Sequence, residues 1–248
     1  MSAAGGDASD PVPNDGPDGV DAAGPAVPAT APVVTIDGPS GAGKGTAAKR
    51  LAERLGWALL DSGAIYRAAA LHALECGADL DDEASVTATL GSFHPGFSPT
   101  PDGVAVTLDG RDVTGELRTE ATADAASRVA AMGEVRVRLR DAQRAFRRPP
   151  GLVADGRDMG TAIFPDATLK GFLTASAEER AGRRAKQLKD KGIETTLVEL
   201  VKELEARDRR DASRAHSPLA AGPDAVRIDS SGLTIDEVVE RIVSFLDV

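Results

Sequence analysis

Residues 33–46 read Val33-Val34-Thr35-Ile36-Asp37-Gly38-Pro39-Ser40-Gly41-Ala42-Gly43-Lys44-Gly45-Thr46. Four apolar or β-branched residues followed by Asp-Gly describe a buried parallel strand reaching its end. Beyond Lys44 the apolar residues recur at helical spacing as far as Leu55, and Gly56 closes that helix. Glycines between a strand and a helix let backbone N–H groups curl around a phosphate, with the positive end of the helix dipole behind them. Lys44 can then reach the β- and γ-phosphates of a triphosphate, and a hydroxyl can help to hold Mg²⁺. Gly45 stands where Ser or Thr usually follows the lysine, so Thr46, one residue later, is the candidate for that hydroxyl. A glycine-rich turn without a ligand would need neither the lysine nor the preceding strand. Residues 38–46 are therefore the expected cradle for the donor phosphates.

Reading outward, residues 57–60 suggest a second strand and residues 65–76 a second helix. The character changes near residue 91. Val104, Val106 and Leu108 alternate with small or polar residues, and Asp109-Gly110 is a hairpin turn signal before Val113. This predicts a small antiparallel insert. A helical pattern runs over 119–148 with Gly133 as a break, and Pro149-Pro150-Gly151 stops it. Residues 152–155, 169–174 and 225–228 read as further strands. Ser176-Ala-Glu-Glu179 and Thr234-Ile-Asp-Glu237 are capping boxes that open helices, and a charged helix spans about 196–215. Strands alternating with helices imply a parallel sheet covered on both faces.

The chain of 248 residues carries a formal charge of −10, half of it from five Asp in residues 1–32, which contain no Lys or Arg. That Pro/Gly/Ala-rich segment has too little apolar surface to offset its ordering entropy and is expected to be a disordered tail. It lacks the basic start and apolar stretch of a secretory signal, and no run of apolar residues is long enough to span a bilayer. The single Cys76 excludes a disulfide framework, fits a reducing cytoplasm, and is expected to be buried at a helix end. His72, His94 and His216 are too scattered to build a metal site.

A guanine-nucleotide switch would need an Asn-Lys-x-Asp motif, and the only Asn is Asn14 in the tail. Nucleic-acid-dependent ATPases are disfavoured by the lack of a basic region and by 3% aromatics. A kinase for a small acceptor remains. A reaction between two phosphorylated species must gather negative charge, and Arg67, Arg136, Arg157, Arg180, Arg183, Arg184, Arg207, Arg209, Arg210 and Arg214 lie near strand ends or on the late helices. Arg157, directly after a buried strand and a glycine, is the clearest candidate. Asp37 and Asp155, at strand ends beside the loop, could hold Mg²⁺ through water. The residues alone leave open which acceptor is used, and whether the chain is instead a nucleotide-binding regulator with little turnover.

Four motifs taken together narrow this. Residues 38–46, Asp61-Ser62-Gly63-Ala64-Ile65-Tyr66-Arg67, Ala154-Asp155-Gly156-Arg157-Asp158-Met159-Gly160-Thr161 and Arg207-Asp208-Arg209-Arg210-Asp211-Ala212-Ser213-Arg214 resemble the bacterial cytidylate kinases. These belong to the nucleoside monophosphate kinases of the P-loop class. The likeness runs in one order from about residue 33 to the C-terminus and includes the insert. Adenylate kinases share the plan but carry Asp-Gly-Phe-Pro-Arg where this chain has Asp155-Gly-Arg-Asp-Met.

The resemblance implies an α/β P-loop nucleoside monophosphate kinase core, its parallel sheet flanked by helices. Residues 33–248 would form this domain, with an acceptor-binding antiparallel insert at about 89–128 and a helical lid at about 176–195. It implies ATP as donor, CMP or dCMP as acceptor, Mg²⁺, and a cytoplasmic monomer with no nucleic-acid or membrane partner. By resemblance Ser62, Arg67 and Arg157 lie near the acceptor phosphate, although Ser62 also suits a helix N-cap. Ser127, Arg136 and Asp158 would read cytosine, Tyr66 would pack against the acceptor, and Arg207, Asp211 and Arg214 would surround its sugar and phosphate. Arg180 and Arg184 would face the ATP phosphates from the lid. Lys44, Arg157, Arg184 and Arg214 are thus the expected catalytic cations.

Overall fold

The computed structural model describes residues 31–246 apart from 101, 102, 191 and 193. The expected acidic tail falls almost wholly outside these residues. Its last two members belong to the fold. Ala31 is buried and its carbonyl accepts from Arg147 Nε at 2.7 Å, while the Pro32 carbonyl accepts from the Leu152 amide.

Five strands, β1 (Val33–Asp37), β2 (Ala58–Asp61), β6 (Leu152–Asp155), β7 (Leu169–Thr174) and β8 (Val226–Asp229), make a parallel sheet in the order β2-β6-β1-β7-β8. β1 is buried along its whole length because it lies at the centre, with helices on both faces. On one face α1 (Lys44–Leu55) and α8 (Ile235–Val243) enclose Val34, Ile36, Leu51, Leu173 and Ile242. On the other, α2 (Ser62–Glu75), α3 (Glu83–Thr89), α4 (Glu120–Val129) and α5 (Gly133–Arg144) enclose Leu60, Ile65, Val135, Leu152 and Met159. α6 (Ala177–Asp190) and α7 (Leu197–Ala212) pair through Ala181, Leu188, Leu200 and Leu204. At the foot of the sheet a Cβ on Gly151 would stand 2.3 Å from the ring of Trp57, so only glycine lets the indole lie across the entry to β6.

The antiparallel insert is present as β3 (Pro95–Thr100), β4 (Gly103–Leu108) and β5 (Arg111–Asp112). Asp109 and Gly110 have φ of 48° and 82°, as the expected tight hairpin requires. Val106, Leu108, Val113 and Leu117 hold the insert against Ala64 and Ala68 of α2.

Several expectations need correcting. The long helical pattern does break, but at residues 130–132, and Gly133 is the first residue of α5. Cys76 is exposed, because it is the C-cap of α2 and lies beyond its buried face. The Ser176 box is half made: Glu179 N–H donates to Ser176 Oγ at 3.1 Å, while Ser176 N–H donates to Ser231 Oγ. The α8 box is complete, and α7 has one that the sequence reading passed over, Thr196 with Glu199.

Candidate active site

The C-terminal edge of the sheet brings the loop after β1, the start of α2 and the segment after β6 together. Gly38 opens the loop with φ of 145°, and a Cβ there would sit 2.0 Å from the Leu173 carbonyl oxygen, so the chain can turn off β1 only with glycine. Lys44 Nζ donates to the Pro39 carbonyl at 2.9 Å and lies 3.9 Å from Asp155. Burial and the nearby Arg157 push the Lys44 ammonium down to about 8. Thr46 is exposed and lines, with Gly45, Asp61, Arg67, Arg118 and Asp155, a cleft of about 420 Å³ that reaches the insert. Asp155 Oδ1 is buried without a hydrogen bond among the described residues, and burial raises the Asp155 carboxyl to about 6.

Asp37 is already occupied. Its two carboxylate oxygens accept the amides of Met159 and Gly160 at 2.9 and 2.8 Å, and burial raises its carboxyl to about 7. These bonds tether the π turn Met159–Ile163, and hence the neighbouring Arg157 and Asp158, to the end of the phosphate-loop strand.

Beside Lys44 further cations crowd together. Arg157 Nε is 3.0 Å from Asp211, which Arg214 also binds. Arg207 Nε and Arg214 Nε are buried with no hydrogen bond among the described residues. Desolvation, then the positive charge of Arg157, pulls the Arg207 guanidinium down to about 10, and desolvation lowers Arg214 as well. Arg67 is held by Asp61 at 2.9 Å, and Asp61 is also the N-cap of α2. Ser62 is therefore the first helical residue and not the cap. Its hydroxyl donates to Gln143 at 2.9 Å.

A second group lies deeper. Arg136 and Asp158 are buried and hydrogen-bonded to each other, and the Arg136 guanidinium lies 5.7 Å from the centre of the Tyr66 ring. The Tyr66 hydroxyl and Ser127 Oγ are buried with no hydrogen bond among the described residues. Unsatisfied donors and acceptors beside a buried ion pair suit a planar polar ligand that would complete them.

Two kinds of comparison bear on this arrangement. A family profile described as cytidylate kinase matches residues 34–247. The chain is 52% identical to a cytidylate kinase of Aeromonas salmonicida over 221 residues, 89% of this chain and 96% of the other. It is 54% identical to a cytidylate kinase of Methylococcus capsulatus over 215 residues, 87% of this chain and 96% of that one. The chain belongs to the cytidylate kinase family. A phosphotransferase that uses ATP follows from that membership.

Within this family member the late helices are less simply arranged than expected. Arg180 is buried and structural: it donates to the carbonyls of Ala175 and Ser40 and pairs with Asp208 at 2.7 Å, joining α6, the loop after β1 and α7. Arg184 does not meet the phosphate loop and pairs with Glu120 of α4. Arg210 does the same with Asp124 at 2.8 Å. Arg183 holds Ser230, whose hydroxyl donates to the Ala42 carbonyl at 2.9 Å. Sequence reasoning missed Asp61 and Gln143. A carboxylate directly before a helix was a visible signal for Asp61 as cap, and nothing marked Gln143.

Proposed function

We propose that the chain transfers the γ-phosphoryl group of ATP to CMP or dCMP, giving ADP with CDP or dCDP, as a cytoplasmic monomer. The observation that carries the acceptor site is the crowd of buried cations. Burial, and then the positive charge of neighbouring arginines, Arg157 among them, lowers Lys44, Arg207 and Arg214, so this cluster suits anions that offset the repulsion. The loop of residues 38–46 would take the donor phosphates, with Lys44 on the β- and γ-phosphates. Arg67 and Arg157 offer planar forks to the acceptor phosphate, with Arg207, Asp211 and Arg214 around its sugar and phosphate. The acceptor oxygen is already anionic at neutral pH, so attack needs alignment and charge neutralisation rather than a general base.

Cytosine has an amino donor at C4 and acceptors at N3 and O2. Asp158 suits the amino group, Arg136 and Ser127 suit the other edge, and Tyr66 packs against the ring. Uracil would set its C4 oxygen against the carboxylate, at a cost of about 2 kcal/mol.

No cluster of three or more His, Cys, Asp or Glu among the described residues could hold a metal unaided. A hard cation that arrives on the triphosphate needs only one or two protein groups. The Asp155 oxygen, which makes no hydrogen bond among the described residues, and the Thr46 hydroxyl in the same cleft fit that need, and would hold Mg²⁺ directly or through water. When bound, Mg²⁺ would neutralise charge developing on the β- and γ-phosphates. Arg184 joins the phosphates as the lid closes and leaves Glu120, a part-exposed pair worth at most about 1 kcal/mol.

The decisive assay follows ADP release from ATP·Mg with CMP, dCMP, UMP, AMP and no acceptor. Fast turnover confined to CMP and dCMP is expected. Preference for another acceptor, or tight ATP binding without turnover, would overturn the proposal.

A further inference from the structure

Arg111, Arg118 and Arg128 are the arginines of the insert and the helix that follows it. Arg111 is held by both Glu75 and Glu116, and Arg128 pairs with Asp81 at 2.6 Å. Arg118 is exposed, and its guanidinium has no hydrogen bond or ion pair among the described residues. The carboxylates nearest to it along the chain are engaged elsewhere: Glu116 by Arg111, Glu120 by Arg184 and Asp124 by Arg210. Within the cleft, Asp61 holds Arg67 at 2.9 Å and Asp155 faces Lys44 at 3.9 Å.

The backbone beneath this unpaired fork is pinned. Leu117 N–H donates to the Val113 carbonyl at 3.0 Å, and Arg118 N–H to the Gly115 carbonyl at 3.1 Å. The next residue, Thr119, is the N-cap of α4. The Leu117 side chain is buried in one cluster with Ala64 and Ala68 of α2, and Ala64 lies one turn before Arg67 on that helix. This packing brings Arg118 to the cleft that Thr46, Arg67 and Asp155 also line.

An exposed arginine can simply stay solvated, and it gains little from a single exposed partner. A dianion between two guanidinium groups is a different case. Each fork adds charge-assisted bonds, and the anion offsets the repulsion between the forks. The donor triphosphate already has the loop amides and Lys44. Arg118 comes from the acceptor side, directly before the helix that bears Ser127.

We infer that Arg118 binds the acceptor phosphate from the insert side and shares it with Arg67. The inference rests on the proposed CMP kinase reading and adds to it a cation that lies outside all four sequence motifs.

The test is Arg118→Met, which keeps an unbranched stem and removes the charge. At saturating ATP, kcat/KM for CMP and for UMP should each fall about tenfold or more. Their ratio should stay within about twofold, because a phosphate contact reads no base. The KM for ATP should also stay within about twofold. Arg118→Lys should recover only part of the loss, since a point charge replaces a planar fork. The side chain is exposed, so Tm should move by less than about 2 °C. Arg138→Met removes another exposed arginine with no ion pair among the described residues, and should leave the kinetics unchanged. An unaltered kcat/KM for CMP in Arg118→Met overturns the inference. An equal loss in Arg138→Met would reduce it to an effect of net charge, and a defect confined to the KM for ATP would assign Arg118 to the donor; either result is equally fatal. Failure of the underlying reading looks different, because the unaltered protein would then turn over CMP no faster than other acceptors.

Discussion

Asp158 and Arg136 bind each other where water reaches neither, so removing either strands a charge. Asp158→Ala should reduce the preference for CMP over UMP while ATP affinity stays near normal. It should also cost about 3 kcal/mol of stability, read from denaturant melts. An unchanged CMP:UMP ratio would remove Asp158 from base reading. Lys44 carries a different prediction. Free, it titrates near 8 because burial and Arg157 disfavour its charge. A bound triphosphate favours the charge, so binding takes up a proton above pH 8. ATP affinity should be flat from pH 6.5 to 7.5, then fall by close to ~tenfold per unit above 8 until Lys44 in the complex also deprotonates. Calorimetry in buffers of different ionisation enthalpy would detect the proton; identical heats would refute it. Residues such as Lys44 and Arg157 were legible because local sequence imposes their surroundings: a loop between strand and helix, a strand end. Gln143 was not, since it lies within a helix between Ala142 and Arg144 and accepts a hydrogen bond from Ser62, 81 positions away. Asp37 was legible as a buried carboxylate at the loop, but its bonds to amides some 120 residues later were not.

At the level of elements, the strands of the main sheet could be read because each is a short stretch rich in apolar residues that ends in Asp or Thr at the functional edge. The helix α3 escaped notice: of its seven residues only Val86 is buried, so it has no periodic stripe to detect. The π turn after Asp158 escaped for another reason: besides its own bond from Phe164 N–H to the Met159 carbonyl at 2.7 Å, it is held from outside by the Asp37 carboxylate. Capping boxes are local and were mostly readable. The α8 box caps a helix whose first residue, Ile235, lies near Gly43 of the loop after β1, and it tests element against site. Thr234→Ala should cost about 1 kcal/mol, lowering Tm by about 3 °C, with kcat and KM for both nucleotides unchanged. A kinetic effect would mean that α8 bears on the active edge.

Over the whole molecule, a formal charge of −10 contrasts with a local cluster of cations around Arg157 and Arg207. The acidic exterior could be counted from composition. The cationic interior could not, because it arises when arginines from α2, α5, α7 and the segment after β6 converge. Dianions should therefore stabilise the free protein specifically. At ten times its Kd, phosphate should add about 1.4 kcal/mol, or roughly 4 °C in Tm, beyond chloride of equal ionic strength. Arg157→Ala should shrink that difference; an equal shift in both proteins would reduce it to a general salt effect. The indole stacked on Gly151 bears on how such experiments are read. Trp57 is the only tryptophan and sits where β2 and β6 begin, a full strand length from the nucleotides. Its emission should report loss of the core while barely changing when ATP or CMP binds. A titration that follows intrinsic fluorescence would thus record a silent lamp over a filled cleft.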